Sequence, residues 1–203
     1  MKLYYFHDPM CSWCYAFRPK LQKLKEAIPV DLTMVNILGG LAPDEDAVMS
    51  EAMQQTIQHH WRRIQEVVPA TRFNYDFWTS CEPRRSTWPG CRGVIAAGKQ
   101  GAGYDDAMTQ AIQRAYYLEA KNPSDYSTLI EIATGLGLDV DRYEIDLKSG
   151  ETEAELQRQL RVTSEYGVTG FPSLVLDTAE KRHAIKVDYI DYEPMLNAIR
   201  AVM

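Results

Sequence analysis

The chain has 203 residues, 45% of them hydrophobic, enough to bury a sizeable core without disulfide staples. Its 28 acidic and 22 basic residues leave a net charge of −6, the wrong sign for a nucleic-acid or anionic-membrane binder. No apolar run reaches the length of a membrane span, and residues 1–9 are too short and too soon interrupted for a secretory signal, so a cytoplasmic protein is expected.

Leu3, Tyr4, Tyr5 and Phe6 predict a strand over residues 2–6, which Asp8-Pro9 ends. Phe17, Leu21, Leu24 and Ile28 recur at helical spacing and predict a helix reaching Pro29. Residues 30–37 largely alternate apolar and polar, a second strand, so the chain opens as a βαβ unit with a parallel pair. From Pro43 to Tyr166 the pattern turns mostly helical. Asp44 is expected to cap a helix with Met49, Met53, Ile57, Trp61 and Ile64 near one face. Residues 67–88 lose the periodicity and read as a packed loop rich in aromatics. Helices resume near 90–101, 105–120 and 125–136, and Thr152 with Glu155 has capping-box spacing for another. Residues 173–176 and 184–187 predict two closing strands, joined by a polar connection over 177–183. Asp191 is expected to cap a last helix carrying Met195, Leu196 and Ile199. The order is β-α-β, a helical block, then β-β-α.

Cysteines stand at 11, 14, 81 and 91. In a cytosolic chain, disulfides tend to be catalytic or transient. Cys11-Ser12-Trp13-Cys14 follows a strand and opens a helix, where unpaired N–H groups and the macrodipole favour a thiolate. Cys14 lies one turn on, placed to attack a mixed disulfide on Cys11. Cys11 is therefore the candidate nucleophile, the more exposed of the two, and Cys14 the resolving thiol. A zinc site needs two further ligands, and Cys81 and Cys91 lack the tight spacing of a knuckle, so no metal is expected. Cys91 reads as a buried small side chain or as the partner of Cys81. His59 and His60 point to different sides of a helix and read as a solvated pair. Glu82-Pro83-Arg84-Arg85 reads as an ordinary exposed loop.

The run Asp8-Pro9-Met10-Cys11-Ser12-Trp13-Cys14-Tyr15, together with Gly170-Phe171-Pro172, resembles the DsbA-like branch of the thioredoxin superfamily. More narrowly it is similar to that branch's cytosolic protein-disulfide isomerase group. The resemblance implies an α/β, thioredoxin-like fold over residues 1–41 and 167–203, split by a helical insertion over 42–166. It implies Cys11 as nucleophile, Cys14 as resolver and Pro172 as a cis-proline beside them. Gly170 and Phe171 would offer backbone groups to a peptide, Trp88 and Cys91 on the overhanging helices would border the substrate groove, and Trp13, Tyr15 and Phe171 would give an apolar docking surface. Pro19, which interrupts a helix at a cost of about 3 kcal/mol unless the helix kinks, sits where such helices carry a proline.

Two departures from the family pattern stand out. The first strand carries no buried acid to take the Cys14 proton, and the nearest candidates are His7 and Asp8. Ser12-Trp13 supplies no positive charge between the cysteines, which predicts a mild oxidant suited to reduction or isomerisation. The expected activity is thiol–disulfide exchange with protein, peptide or small-thiol partners, without a resident cofactor, with glutathione as co-substrate or reductant. Two alternatives stay open: a glutathione-dependent transferase or isomerase of the kappa class, and a non-enzymatic redox sensor or adaptor.

Overall fold

The computed structural model describes residues 1–178 and 180–203. Its sheet holds four strands, β1 (Lys2–His7), β2 (Thr33–Leu38), β3 (Ser173–Asp177) and β4 (Arg182–Ile185), in the order β2-β1-β3-β4. β1 runs parallel to β2 and antiparallel to β3, and β4 pairs antiparallel with β3. β4 thus starts two residues earlier than the alternation suggests, because Arg182 and His183 pair with Asp177 and Leu176. Ala179, inside the expected connection, lies outside the described residues.

Alternation along β1 sends its side chains to both faces. Leu3 and Tyr5 pack with Leu174, Leu176 and Ile185 under α1 (Ser12–Ala27) and the C-terminal helix, through Phe17, Leu21, Leu24, Met195 and Ile199. Phe6, Ile37 and Val175 face the other way, against Val162 and Tyr166. Pro19 stands exposed inside α1, which continues through it.

Between the sheet halves come α2 (Glu51–Val67), α3 (Phe77–Ser80), α4 (Trp88–Gly98), α5 (Tyr104–Leu118), α6 (Tyr126–Gly135), α7 (Val140–Leu147) and α8 (Gly150–Glu165). They enclose a second core around Trp61, Met108, Ile112, Tyr117, Leu129 and Tyr143. The aromatics of the 67–88 segment pack on Trp61, with Phe73 stacked at 4.7 Å and 11°. α8 and its C-terminal capping residue serve both cores: Leu156 joins the helical one, Val162 and the cap Tyr166 the sheet. α9 (Glu193–Arg200) closes the chain, with Asp191 accepting from the Glu193 N–H at 3.1 Å.

Three local expectations are corrected. The helix expected from Asp44 begins at Glu51, capped by Ser50. Residues 42–49 bond the 83–87 segment instead: Thr87 N–H donates to Ala42 O (3.0 Å) and Met49 N–H to Pro83 O (2.8 Å). Helix α7 was not anticipated. It is one short turn-pair whose buried face is Tyr143 and Leu147, and Asp139 caps it by accepting from the Arg142 N–H. The cap of α8 is Ser149, which accepts from the Thr152 N–H at 3.1 Å, while Glu155 binds Arg158 and Gln159. Serine three residues before threonine satisfies the first-turn N–H, leaving Glu155 free for neighbours one turn on.

No helix among the described residues is long and apolar enough to cross a membrane.

Candidate active site

The site assembles where the end of β1 turns into α1. Cys11 is the residue capping α1, extended at φ −81° and ψ 117°, and Cys14 follows on the first turn. Both are free thiols, 6% and 0% exposed, so the difference in depth expected between them is small. Phe171 and Pro172 come from the loop before β3, joined by a cis peptide bond. The Cys11 thiol donates to the Phe171 carbonyl at 3.5 Å, bringing together two segments separated by 160 residues. Pro172 is buried beside them, while Thr169 and Gly170 are exposed. The Gly170 carbonyl already accepts from the Ser173 hydroxyl at 2.7 Å.

Aromatic side chains wall the dithiol. The Tyr5 ring lies flat on His7 at 4.8 Å and 6°, with its phenol near Cys14. Tyr189 packs on Trp13 at 5.0 Å. Tyr117 donates to the Met10 carbonyl at 2.7 Å. Burial holds the Cys14 thiol well above the ordinary thiol range, and the Cys11 sulfur beside it pushes the same way. Burial likewise raises the Tyr5 phenol, with the two sulfurs adding to it.

His7 ends β1, and Asp8, the residue after it, supplies a buried acid just past the strand. Asp8 is fully buried and accepts from four donors: Met10 N–H at 2.8 Å, Leu41 N–H at 2.7 Å, the Thr87 hydroxyl at 2.6 Å and the Cys91 thiol at 3.6 Å. Burial raises its carboxyl, and the Thr87, Leu41 and Met10 hydrogen bonds oppose that rise. It ties the loops after β1 and β2 to the start of α4. His7 is held down to about 4, chiefly by burial and secondarily by the Lys25 ammonium. It borders a cavity of about 570 Å³ that also receives Asn36, whose Oδ1 is buried without a partner among the described residues.

A second cavity of about 600 Å³ opens directly over Cys11. Trp13, Gly170 and Phe171 line it. Trp88 does not. Its indole N–H donates to the Gly40 carbonyl at 3.3 Å, and its ring lies against Gly40 and the helical core. Gly39 has no room for a side chain either, since a Cβ there would lie 1.9 Å from the Phe171 ring.

The 82–85 segment is not an ordinary exposed loop. Pro83 is buried, Arg84 and Arg85 are half-buried, and both arginines line the groove with His60. Tertiary hydrogen bonds put them there: Asn122 Nδ2 donates to Glu82 O at 3.1 Å, and Met49 N–H to Pro83 O. Nothing local in the sequence marks these residues, because their place depends on strand-like pairing with residues 48–49.

Cys81 and Cys91 do not pair with each other. Cys81 donates to the Ala120 carbonyl at 2.9 Å, and Cys91 is buried against Asp8. His59 and His60 are exposed, with ring centroids 6.4 Å apart. Among the described residues no three His, Cys, Asp or Glu side chains come together as a metal site needs.

A family model described as thioredoxin matches residues 4–197. The ClpXP adapter protein SpxH of Bacillus subtilis (strain 168) is 23% identical over 201 residues, covering 97% of this chain and 66% of that protein. SpxH of Halalkalibacterium halodurans is 25% identical over 179 residues, covering 86% and 58%. The chain therefore spans less than two thirds of the length of these curated relatives. Among solved structures, one from Nitrosomonas europaea, provisionally described as a protein disulfide isomerase, superposes with a TM-score of 0.85 at 25% identity, covering 98% of this chain and 96% of that one. The cytosolic disulfide reductase DsbM of Pseudomonas aeruginosa superposes with a TM-score of 0.76 at 23% identity, covering 100% and 96%, and a second structure of it contains GSH.

Proposed function

Because the chain belongs to the thioredoxin family, with a DsbA-like fold, we propose that it is a thiol–disulfide oxidoreductase working through Cys11 and Cys14. One observation carries this reading: a free thiol at the mouth of α1, under an open groove and bonded to the carbonyl just before Pro172, with a second free thiol one turn deeper.

In the proposed reaction the Cys11 thiolate attacks one sulfur of a disulfide RS–SR′. A Cys11–SR bond forms, the S–S bond breaks, and R′S⁻ leaves and takes a proton. Cys14 then loses its proton and attacks Cys11, forming the Cys11–Cys14 disulfide and releasing RS⁻. The substrate gains two electrons and the dithiol loses two. A small cellular thiol, glutathione by expectation, returns the enzyme to the dithiol in the reverse sense. The Phe171 carbonyl, against Cys11, holds the reacting sulfur in place. Insulin reduction by the pre-reduced protein tests the reading: turnover in the wild type and none in Cys11→Ser supports it, and no turnover in either overturns it.

A second reading, a protein adaptor, is favoured by the SpxH relatives, whose alignment spans 97% of this chain. It is separated by the same assay, since an adaptor needs no turnover and would keep its partner when Cys11 is replaced.

A further inference from the structure

The groove over Cys11 has an electrostatic character opposite to that of the whole molecule. The chain carries a net charge of −6. Yet no Asp or Glu lines this groove, whose charged or chargeable side chains besides Cys11 and two tyrosines are His60, Arg84 and Arg85. Arg84 is committed to an ion pair with Asp125. Arg85 is half-buried and makes no ion pair among the described residues. A guanidinium never loses its charge, so one that is half-desolvated without a counter-ion is a site for an anion. The apolar walls from Met53 and Ile57 lower the local dielectric and strengthen that attraction. The positive end of α1, capped by Cys11 itself, adds the same sign.

We propose that the groove selects disulfide substrates bearing a carboxylate beside the reacting cysteine, with Arg85 as the specificity-determining residue; this rests on the exchange reading above. The occupant is a peptide segment in which an acidic side chain neighbours the cysteine. Its carboxylate meets Arg85 while its sulfur meets Cys11. Arg84, held by Asp125, keeps the loop in place.

The experiment compares two peptide disulfides that differ only in Asp or Asn beside the cysteine, reduced by the pre-reduced full chain. The ratio of kcat/KM, Asp over Asn, is expected to be roughly fivefold to tenfold, as a partly desolvated charge pair contributes. It should fall to near unity in R85Q, return in R85K, and shrink in about 1 M salt. A wild-type ratio within about twofold of unity, or a ratio unchanged in R85Q, overturns the proposal while leaving the exchange reading intact. If neither peptide is reduced, fluorescence anisotropy with the Cys→Ser versions of both peptides decides. Preference for Asp that R85Q abolishes keeps the selectivity and removes the exchange reading; equal binding removes both.

Discussion

The Sγ of Cys11 lies 3.5 Å from the carbonyl oxygen of Phe171. That contact joins the first turn of α1 to the loop before β3, and it exists only because β1 pairs with β3 in the middle of the sheet. The sulfur touches this carbonyl and lines an open groove.

Replacement of either cysteine should have distinct effects. Cys11→Ser is expected to keep the fold, since serine can donate to the same carbonyl, and to lose disulfide reduction. Cys14→Ser is expected to stop after the first attack, so that mass spectrometry finds substrate covalently held on Cys11. Adducts on Cys81 or Cys91 instead would point to a different nucleophile.

Gly39→Ala should disturb the groove from below. The new Cβ would fall 1.9 Å from the Phe171 ring, so the ring must swing away and carry its backbone off Cys11. A loss of about 1–3 kcal/mol in urea unfolding, together with slower insulin reduction, is expected. Wild-type stability and rate would mean that the ring finds other space.

Asp8→Ala removes the acceptor of two backbone N–H groups, a hydroxyl and a thiol, all at a fully buried position. The Thr87 hydroxyl has a second acceptor in Ala42 O at 3.3 Å, but the N–H groups of Met10 and Leu41 do not regain theirs. A destabilisation of about 3 kcal/mol is expected, readable in chemical denaturation. A change below about 1 kcal/mol would show that water replaces the carboxylate.

His7 should make the fold sensitive to mild acid. Its folded pKa, held down to about 4, lies below the ordinary 6.5. Between those values the unfolded chain binds a proton that the folded chain refuses. Stability therefore falls as pH drops from about 6.5 to about 4, by up to about 3 kcal/mol from this group. Asp8, with its carboxyl raised by burial, acts with the opposite sign, so the wild type is best compared with His7→Asn, which retains Asp8. The variant should show a shallower acid loss, and matching pH profiles would remove His7 as the cause.

What was legible in the sequence follows periods and local chemistry. Strand β1 shows through its aromatic run and α1 through its spacing. The short helix α7 escaped because eight residues carry only two buried positions, too few to set a period. α2 starts at Glu51 rather than after Asp44 because residues 42–49 satisfy their backbone groups on a distant segment, and no propensity scale registers that.

The sequence by itself determined most of the elements and their order, since these depend on side-chain period and on neighbours within one turn. Tertiary structure alone decided that Phe171 meets Cys11, that Trp88 turns back onto Gly40, and that Arg84 and Arg85 face the groove. The reason is range: a strand or a helix turn is fixed by contacts a few residues apart. A groove is walled by segments far apart in the chain, whose meeting depends on how the two cores close on each other.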